Sequence, residues 1–192
     1  MPRLPRFAGA ALFLGGALFV LGGCAGIRPA AENAPAAGGL TSATRILPGV
    51  PFLPQEEETC GPSSLAMLLR FHGKDATTAE LVGETRTAGL RGTLITDLAA
   101  AARRRGLPAE VVDLDLPGLR KRIAEGEPVI LLVDLGTWVW SRPHYLLAYG
   151  VTPEGVVANS GSTEGAFISY ETLDAQWSKM GRLAIVISGG GK

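Results

Sequence analysis

The stretch that decides the fold reads Gln55-Glu56-Glu57-Glu58-Thr59-Cys60-Gly61-Pro62-Ser63-Ser64-Leu65-Ala66-Met67-Leu68-Leu69. Its leucines recur at the spacing of one helical face, which predicts a helix buried along that face. Gly61 permits a close turn, and Pro62 suits the first helical turn, where its missing N–H is not needed. The pattern therefore predicts an extended polar loop that turns into an apolar helix, with Cys60 at the junction.

A cysteine at the start of a helix is typical of a reactive thiol. The unpaired backbone N–H groups and the positive end of the helix dipole lower the pKa of such a thiol and favour the thiolate. We therefore expect Cys60 to be a nucleophile. The alternative is that Cys60 is a small, inert residue of the core.

The N-terminal segment predicts export. Arg3 and Arg6 precede an apolar run at residues 7–23 that is short for a membrane span and suits the core of a signal peptide. The run ends in Leu21-Gly22-Gly23-Cys24, which resembles the bacterial lipobox and implies that Cys24 carries a lipid. An ordinary signal peptide or an uncleaved anchor is the alternative. Ala25, in place of an aspartate, implies the periplasmic face of the outer membrane.

The remaining chain divides into three parts. Residues 24–44 are rich in Ala, Gly and Pro and predict a flexible tether, residues 45–188 have the size of one domain, and residues 189–192 predict a frayed tail. Loss of residues 1–23 reduces the 18 basic residues to 16 against 18 acidic ones, a net charge of −2. That balance does not indicate nucleic acid or an anionic membrane surface as a partner.

The predicted export bears on the role of the two cysteines of the chain. If Cys24 carries the lipid, Cys60 remains as a single thiol in an oxidising compartment, where cysteines usually form disulfides. An unpaired exported thiol is either buried and inert or chemically useful.

The domain predicts helices first and strands later, which favours an α+β fold with a mostly antiparallel sheet. Helices are predicted over Cys60–Phe71, 76–82, 94–105 with Thr93 as the cap, and from 115 or 116 to 124, with a strand at 109–114. Strands are predicted over 128–134, 145–151, 155–158, 166–169 and 183–188, with a helix at 171–180.

A cysteine nucleophile needs a base, a group that orients the base, and donors for the oxyanion. Of the two histidines, His72 lies at the end of the same helix as Cys60 and is interpreted as a C-terminal cation. His144 opens a predicted strand and is the expected base. A hydrogen-bonded histidine at a strand edge is the alternative.

Asn159 is the expected orienting group, and its position depends on the hairpin. If residues 150–153 form the loop, Asn159 lies across from His144 with Cβ atoms about 5 Å apart and can fix the ring tautomer. If residues 152–155 form the loop, Asn159 faces Ala148 and falls short by roughly 13 Å. Both registers remain open, as does a turn role for Asn159.

Gln55 is the expected oxyanion donor, because its side-chain amide can lie beside the backbone N–H of Cys60. Glu56, Glu57 and Glu58 oppose thiolate formation, so we interpret them as solvated loop residues. Recruitment of a basic peptide is the alternative role.

These residues resemble the bacteriocin-processing cysteine peptidases, papain-like enzymes that cut leader peptides after a Gly-Gly pair. Gln55, residues 60–67 and residues 144–147 carry the resemblance, which follows the domain in order. It implies a papain-like fold, with the Cys on N-terminal helices and the His on a C-terminal sheet. In the family, the glutamine usually lies one residue further from the cysteine. The third member is typically Asp followed by Pro, whereas this chain has Asn159-Ser160-Gly161.

The resemblance implies Cys60 as nucleophile, His144 as base, Asn159 as orienting residue and Gln55 as oxyanion donor. We therefore expect a lipid-anchored cysteine endopeptidase that cuts an exported peptide or protein, at a Gly-Gly or small-residue site, in connection with an export system.

The alternatives are a papain-like cell-wall amidase or acyltransferase, and a non-catalytic domain that binds a secretion substrate. The amidases usually carry Asp-Cys-Ser, where this chain has Thr59-Cys60-Gly61. The sequence has neither metal-ligand spacing nor a phosphate loop, so we expect no cofactor and no metal.

Overall fold

The computed structural model describes residues 44–86, Gly89 and 92–188. The predicted signal peptide, Cys24, the tether up to residue 43 and the tail at 189–192 lie outside the described residues. The elements are β1 (Arg45–Ile46), α1 (Cys60–Phe71), α2 (Thr78–Thr85), α3 (Ile95–Arg104), β2 (Ala109–Asp113), α4 (Leu116–Ala124), β3 (Val129–Asp134), β4 (Pro143–Val151), β5 (Gly155–Ser160), β6 (Thr163–Ser169), α5 (Tyr170–Ser178) and β7 (Leu183–Ile187).

The strands form one antiparallel sheet, which confirms the predicted α+β class. Its order is β2-β7-β3-β4-β5-β6, and β1 pairs with the end of β4, where Arg45 lies opposite Val151. Every residue of β3 is buried, as the continuous apolar run predicts. Strand β4, which begins beside His144, therefore lies in the middle of the sheet, with β3 on one side and β5 on the other.

Helices cover both faces of the sheet. On one face, α1, α2 and α3 bury a cluster that includes Cys60, Tyr145 and Leu147. On the other face, α4 and α5 bury a cluster that includes Leu146 and Ala148. The alternation of β4 residues between these two clusters is the ordinary period of a strand. No helix within the described ranges is long and apolar enough to cross a bilayer.

The start of α1 follows the prediction, since the helix begins at Cys60. It packs closely on β4, because a Cβ on Gly61 would lie 3.0 Å from the ring of Tyr145. The predicted cap of α3 is wrong. Leu94 occupies the N-cap with no side-chain hydrogen bond, while the carbonyl of Thr93 accepts a hydrogen bond from the Tyr145 hydroxyl at 2.9 Å.

The β4–β5 hairpin settles the two open registers. The backbone N–H of Thr152 donates to the carbonyl of Gly155 at 2.8 Å, so residues 152–155 form the loop. A register shift between Ala148 and Gly150 moves the pairing by one residue, which sets Asn159 opposite Leu147. The register that would place Asn159 across from His144 is therefore not formed.

Candidate active site

Cys60 lies at the first position of α1 and is 6% exposed. Its thiol donates a hydrogen bond to the carbonyl of Glu57 at 3.5 Å, so the preceding loop covers the sulfur. Three backbone N–H groups, those of Tyr145, Gly61 and Cys60 itself, interact with the sulfur and favour its anionic form.

The net effect on the thiol is opposite to the one that the helix start predicts. Burial raises the pKa of Cys60 and outweighs the three N–H groups, and the charge of Glu57 adds a smaller contribution in the same direction. A helix start lowers a thiol pKa and burial in apolar surroundings raises it, and at Cys60 burial is the larger of the two effects. In this structure Cys60 is therefore a neutral thiol at neutral pH.

His144 lies near the start of β4 and is held by Ser160. Its Nε2 atom lies 3.1 Å from the Ser160 hydroxyl oxygen, which leaves Nδ1 available to a second group. Burial, together with the charge of Arg142, lowers the pKa of His144 to about 4. The imidazole is thus neutral at pH 7. Among the described residues no hydrogen bond joins His144 to the Cys60 thiol.

A cleft of about 260 Å³ opens beside this histidine. Its walls combine the loop before Cys60, the segment before β4 and the end of β5. The lining residues are Gln55, Glu56, Glu57, Leu135, Arg142, Pro143, His144, Ser160 and Gly161. The cleft is therefore lined by two carboxylates, one guanidinium and the candidate base.

Asn159 is turned away from this cleft. It is fully buried, its Nδ2 donates to the carbonyl of Pro51 at 3.0 Å, and its Oδ1 accepts from the backbone N–H of Gly165 at 3.1 Å. Its Nδ2 also lies 3.5 Å from the sulfur of Met67. Asn159 and Ser160 are neighbours on β5, so their side chains point to opposite faces of the sheet, and Ser160 lies on the face of His144. The expected hydrogen bond between Asn159 and His144 is therefore absent.

Ser160 was not a predicted site residue, and it occupies the place expected for Asn159. The sequence held one signal for it. With residues 152–155 as the loop, the expected partner of His144 lies beyond Asn159 on β5. The register shift needed to choose Ser160 depends on a β-bulge, which the sequence pattern does not reveal.

Gln55 connects the loop before Cys60 to the turn after Ser160. Its Nε2 donates to the Ser64 hydroxyl at 2.7 Å and to the Cys60 carbonyl at 3.4 Å. Its Oε1 accepts from the N–H of Gly161 at 2.7 Å, and its own N–H donates to the Gly161 carbonyl at 2.9 Å. Both amide protons are therefore engaged, and the oxyanion role of Gln55 stays a prediction.

The second histidine lies elsewhere. His72 follows the end of α1, and its Nε2 lies 3.5 Å from a carboxylate oxygen of the buried Glu127. Burial lowers the pKa of His72 and raises that of Glu127. In the part of the chain that the structure describes, no group of three His, Cys, Asp or Glu side chains is placed to hold a metal ion.

A cysteine at a helix start and a histidine on a neighbouring antiparallel strand define the papain-like class of peptidase folds. Residues 51–187 match the profile of the Peptidase C39 family, so this chain belongs to that family of cysteine peptidases. The predicted resemblance to the bacteriocin-processing peptidases is thereby confirmed.

A curated relative is the pediocin PA-1 transport/processing ATP-binding protein PedD of Pediococcus acidilactici. It is 28% identical to this chain over 138 residues, which cover 69% of this chain and 18% of the relative. The chain thus spans less than one fifth of that protein.

Solved structures show the same fold. A C39-like peptidase from Bacillus anthracis matches with a TM-score of 0.64 at 20% identity, covering 78% of this chain and 100% of that one. The peptidase domain of Streptococcus ComA, a bi-functional ABC transporter, matches at 0.58 with 22% identity, covering 72% and 97%. A double glycine motif protease from an AMS/PCAT transporter, solved with the leader peptide, matches at 0.59 with 20% identity, covering 76% and 97%.

Proposed function

We propose that this protein is a cysteine endopeptidase that cuts an exported peptide or protein, with Cys60 as nucleophile and His144 as base. One observation carries the proposal. Cys60 occupies the first position of α1, where the backbone groups of Tyr145, Gly61 and Cys60 itself favour the thiolate.

The proposed reaction is the one that a cysteine nucleophile and a histidine base perform together. The thiol passes its proton to the neutral imidazole of His144, and the thiolate attacks the peptide carbonyl carbon to form a tetrahedral oxyanion. The imidazolium then gives that proton to the leaving amine, and the acyl-enzyme is hydrolysed by water. The buried sulfur must first lose its cover, since the Glu57 carbonyl holds the thiol proton.

Ser160 is proposed as the residue that orients the base, in place of Asn159. Its hydroxyl accepts the Nε2–H of His144 and thereby keeps Nδ1 free to take the thiol proton. A hydroxyl supports the imidazolium less than a carboxylate would, because it brings no charge. Gln55 retains a proposed role at the oxyanion only if its amide leaves Ser64 during the reaction.

The substrate and location are proposed by analogy and from the sequence. A relative named for transport and processing and a fold neighbour solved with a leader peptide support a peptide with a Gly-Gly or small-residue site. The predicted lipid at Cys24 supports the periplasmic face of the outer membrane, beside an export system.

The test is cleavage of a peptide library that carries Gly-Gly pairs, followed by mass spectrometry. The wild type is expected to cut, Cys60→Ala to be inactive, and Ser63→Ala to serve as a control at a buried position of the same helix. Full activity of Cys60→Ala would refute the proposal. Release of stem-peptide fragments from peptidoglycan instead would identify an amidase.

A second candidate, a non-catalytic domain that binds a secretion substrate, is favoured by one observation. The thiol pKa is raised and the imidazole pKa is lowered, so neither group is charged at rest. Failure of an electrophile to label Cys60, with tight binding of an uncut peptide, would establish this alternative.

A further inference from the structure

The loop between β3 and β4, residues 135–142, exposes an apolar tip. We call it the tryptophan loop. Trp138 is 94% exposed, Val139 is 70% exposed and Trp140 is 72% exposed. The other exposed large hydrophobic residues in the described ranges, Ile46, Leu94 and Phe167, are isolated in the sequence. Single exposed hydrophobic residues are ordinary, whereas three consecutive ones mark an interaction surface.

The base of the tryptophan loop is tightly built. The backbone N–H of Leu135 donates to the carbonyl of Arg142 at 3.0 Å, and the carboxylate of Asp134 accepts from the N–H groups of Gly136 and Arg142, both at 2.7 Å. A Cβ on Gly136 would lie 1.9 Å from the carbonyl oxygen of Trp140, so only glycine fits there. The tip is thus presented by a defined structure.

We propose that the tip of the tryptophan loop inserts into the interfacial region of an anionic lipid bilayer. Residues 137–141 carry no charge, and two cations flank them. Arg142 ends the loop, and the ammonium of Lys179 donates to the Gly136 carbonyl at 3.2 Å. Tryptophan prefers the boundary between hydrocarbon and headgroups, and flanking cations are attracted to anionic lipids.

The shape of the tip selects a bilayer over a peptide. Small ligands bind in concave sites that cover most of their surface, whereas Trp138 and Trp140 project outward. A fluid bilayer accepts a convex apolar wedge. The predicted overall charge of −2 gives no general attraction to such a surface. The contact is therefore local to the loop, where the carboxylate of Asp134 is buried at the base and Arg142 and Lys179 supply the positive charge.

The loop is separate from any N-terminal anchor. Arg45 pairs with Val151, seven residues from His144 along β4, which is about 23 Å. Leu135, Arg142 and Pro143 also line the cleft. If the proposed function holds, bilayer contact brings the cleft close to membrane-bound substrates.

The test uses residues 44–192. Both hydrophobic clusters lie within this segment, and a solved relative consists wholly of the matching domain. The chain has three tryptophans, and Trp177 is fully buried, so a change in tryptophan emission reports on the tip. Vesicles of phosphatidylethanolamine with phosphatidylglycerol are expected to shift the emission to the blue and to sediment with the protein. Added salt is expected to weaken this binding.

Trp138→Ser with Trp140→Ser is expected to weaken vesicle binding about 100-fold, because two apolar side chains are no longer buried. Val139→Asp keeps both fluorophores and is expected to abolish the blue shift by placing a carboxylate in the tip. Phe167→Ser, another exposed apolar position, is the matched control and is expected to bind as the wild type does. Cys60→Ala is expected to bind fully, which separates this proposal from the peptidase activity.

Three results would overturn the proposal. They are no vesicle binding by the wild type, equal binding by Val139→Asp, and a blue shift produced by a soluble leucine-rich peptide but not by vesicles. The last would assign the tip to a protein partner.

Discussion

Replacement of Ser160 by aspartate tests the site most directly. In the wild type the pKa of His144 is about 4, and the pKa of Cys60 lies above that of an ordinary thiol. The gap exceeds about 4 pKa units, so the thiolate–imidazolium pair makes up less than about 1 in 10,000 molecules. A carboxylate on Ser160 would stand where the hydroxyl now lies, 3.1 Å from Nε2.

An opposite charge at that distance raises a histidine pKa by about 1–3 units, after part of the attraction is lost to desolvation of the new carboxylate. The expected pKa of His144 in Ser160→Asp is therefore about 5–7, and the thiolate–imidazolium population rises about 10- to 1,000-fold. Near pH 7 ordinary loss of the thiol proton to water supplies most of the thiolate, so the alkylation rate is expected to change little and the raised pKa of His144 is the result to measure.

The assay is the rate of Cys60 alkylation by iodoacetamide between pH 4 and 10, followed by mass spectrometry. Ser160→Asn is the matched control, since it adds similar bulk without charge. The chain has two histidines, so NMR titration also reports the His144 pKa once His72→Gln assigns the signals. An unchanged His144 pKa in Ser160→Asp, or an equal pKa shift in Ser160→Asn, would refute the reasoning.

Three further perturbations have defined outcomes. The folded-state pKa of His144, about 4, lies below its unfolded value, so stability is lost as pH falls from about 6.5 to 4. The free energy of unfolding in urea, measured at pH 7 and pH 4, is expected to fall by up to about 3 kcal/mol less in His144→Gln than in the wild type. An equal fall in both proteins would contradict the lowered pKa of His144. Asn159→Ala is expected to cost about 2–4 kcal/mol, because Gly165 N–H loses its buried acceptor, with no change in the alkylation profile. A shifted alkylation profile would show that Asn159 does act on His144. Gln55→Glu is expected to destabilise by about 1–3 kcal/mol, since Ser64 and a backbone carbonyl lose their donor, and unfolding at the wild-type urea concentration would contradict this.

The sequence predicts the elements with strong local periodicity and misses those without it. Helix α1 shows the helical period and strand β3 is a continuous apolar run, and the sequence predicts both to within one residue. Strand β1 has two residues, Arg45 and Ile46, and a pair of residues carries no period. It exists because β4 extends beyond β3 and offers free backbone groups.

The sequence predicts which residue types form the candidate site, but it does not predict the burial and hydrogen bonds that surround them. Cys60 and His144 are named by chemistry and position, yet the direction of the thiol pKa depends on burial by Tyr145 and the covering loop, which only the folded chain reveals. The exchange of roles between Asn159 and Ser160 depends on one β-bulge. A shift of one residue turns every later side chain to the other face.

The double hydrogen bond between Gln55 and Gly161 has a kinetic consequence. It fixes the two sides of the cleft to each other, so access to the sulfur depends on residues 56–59, a turn closed by the Thr59 N–H on the Glu56 carbonyl at 3.0 Å. Opening one four-residue turn exposes little new surface, and the denaturant sensitivity of an opening event scales with the surface that it exposes. The rate at which a small electrophile finds the thiol should therefore be nearly flat in dilute urea and rise steeply only when the whole domain unfolds. Labelling of Cys60 would then separate local opening of the turn from global unfolding in one experiment.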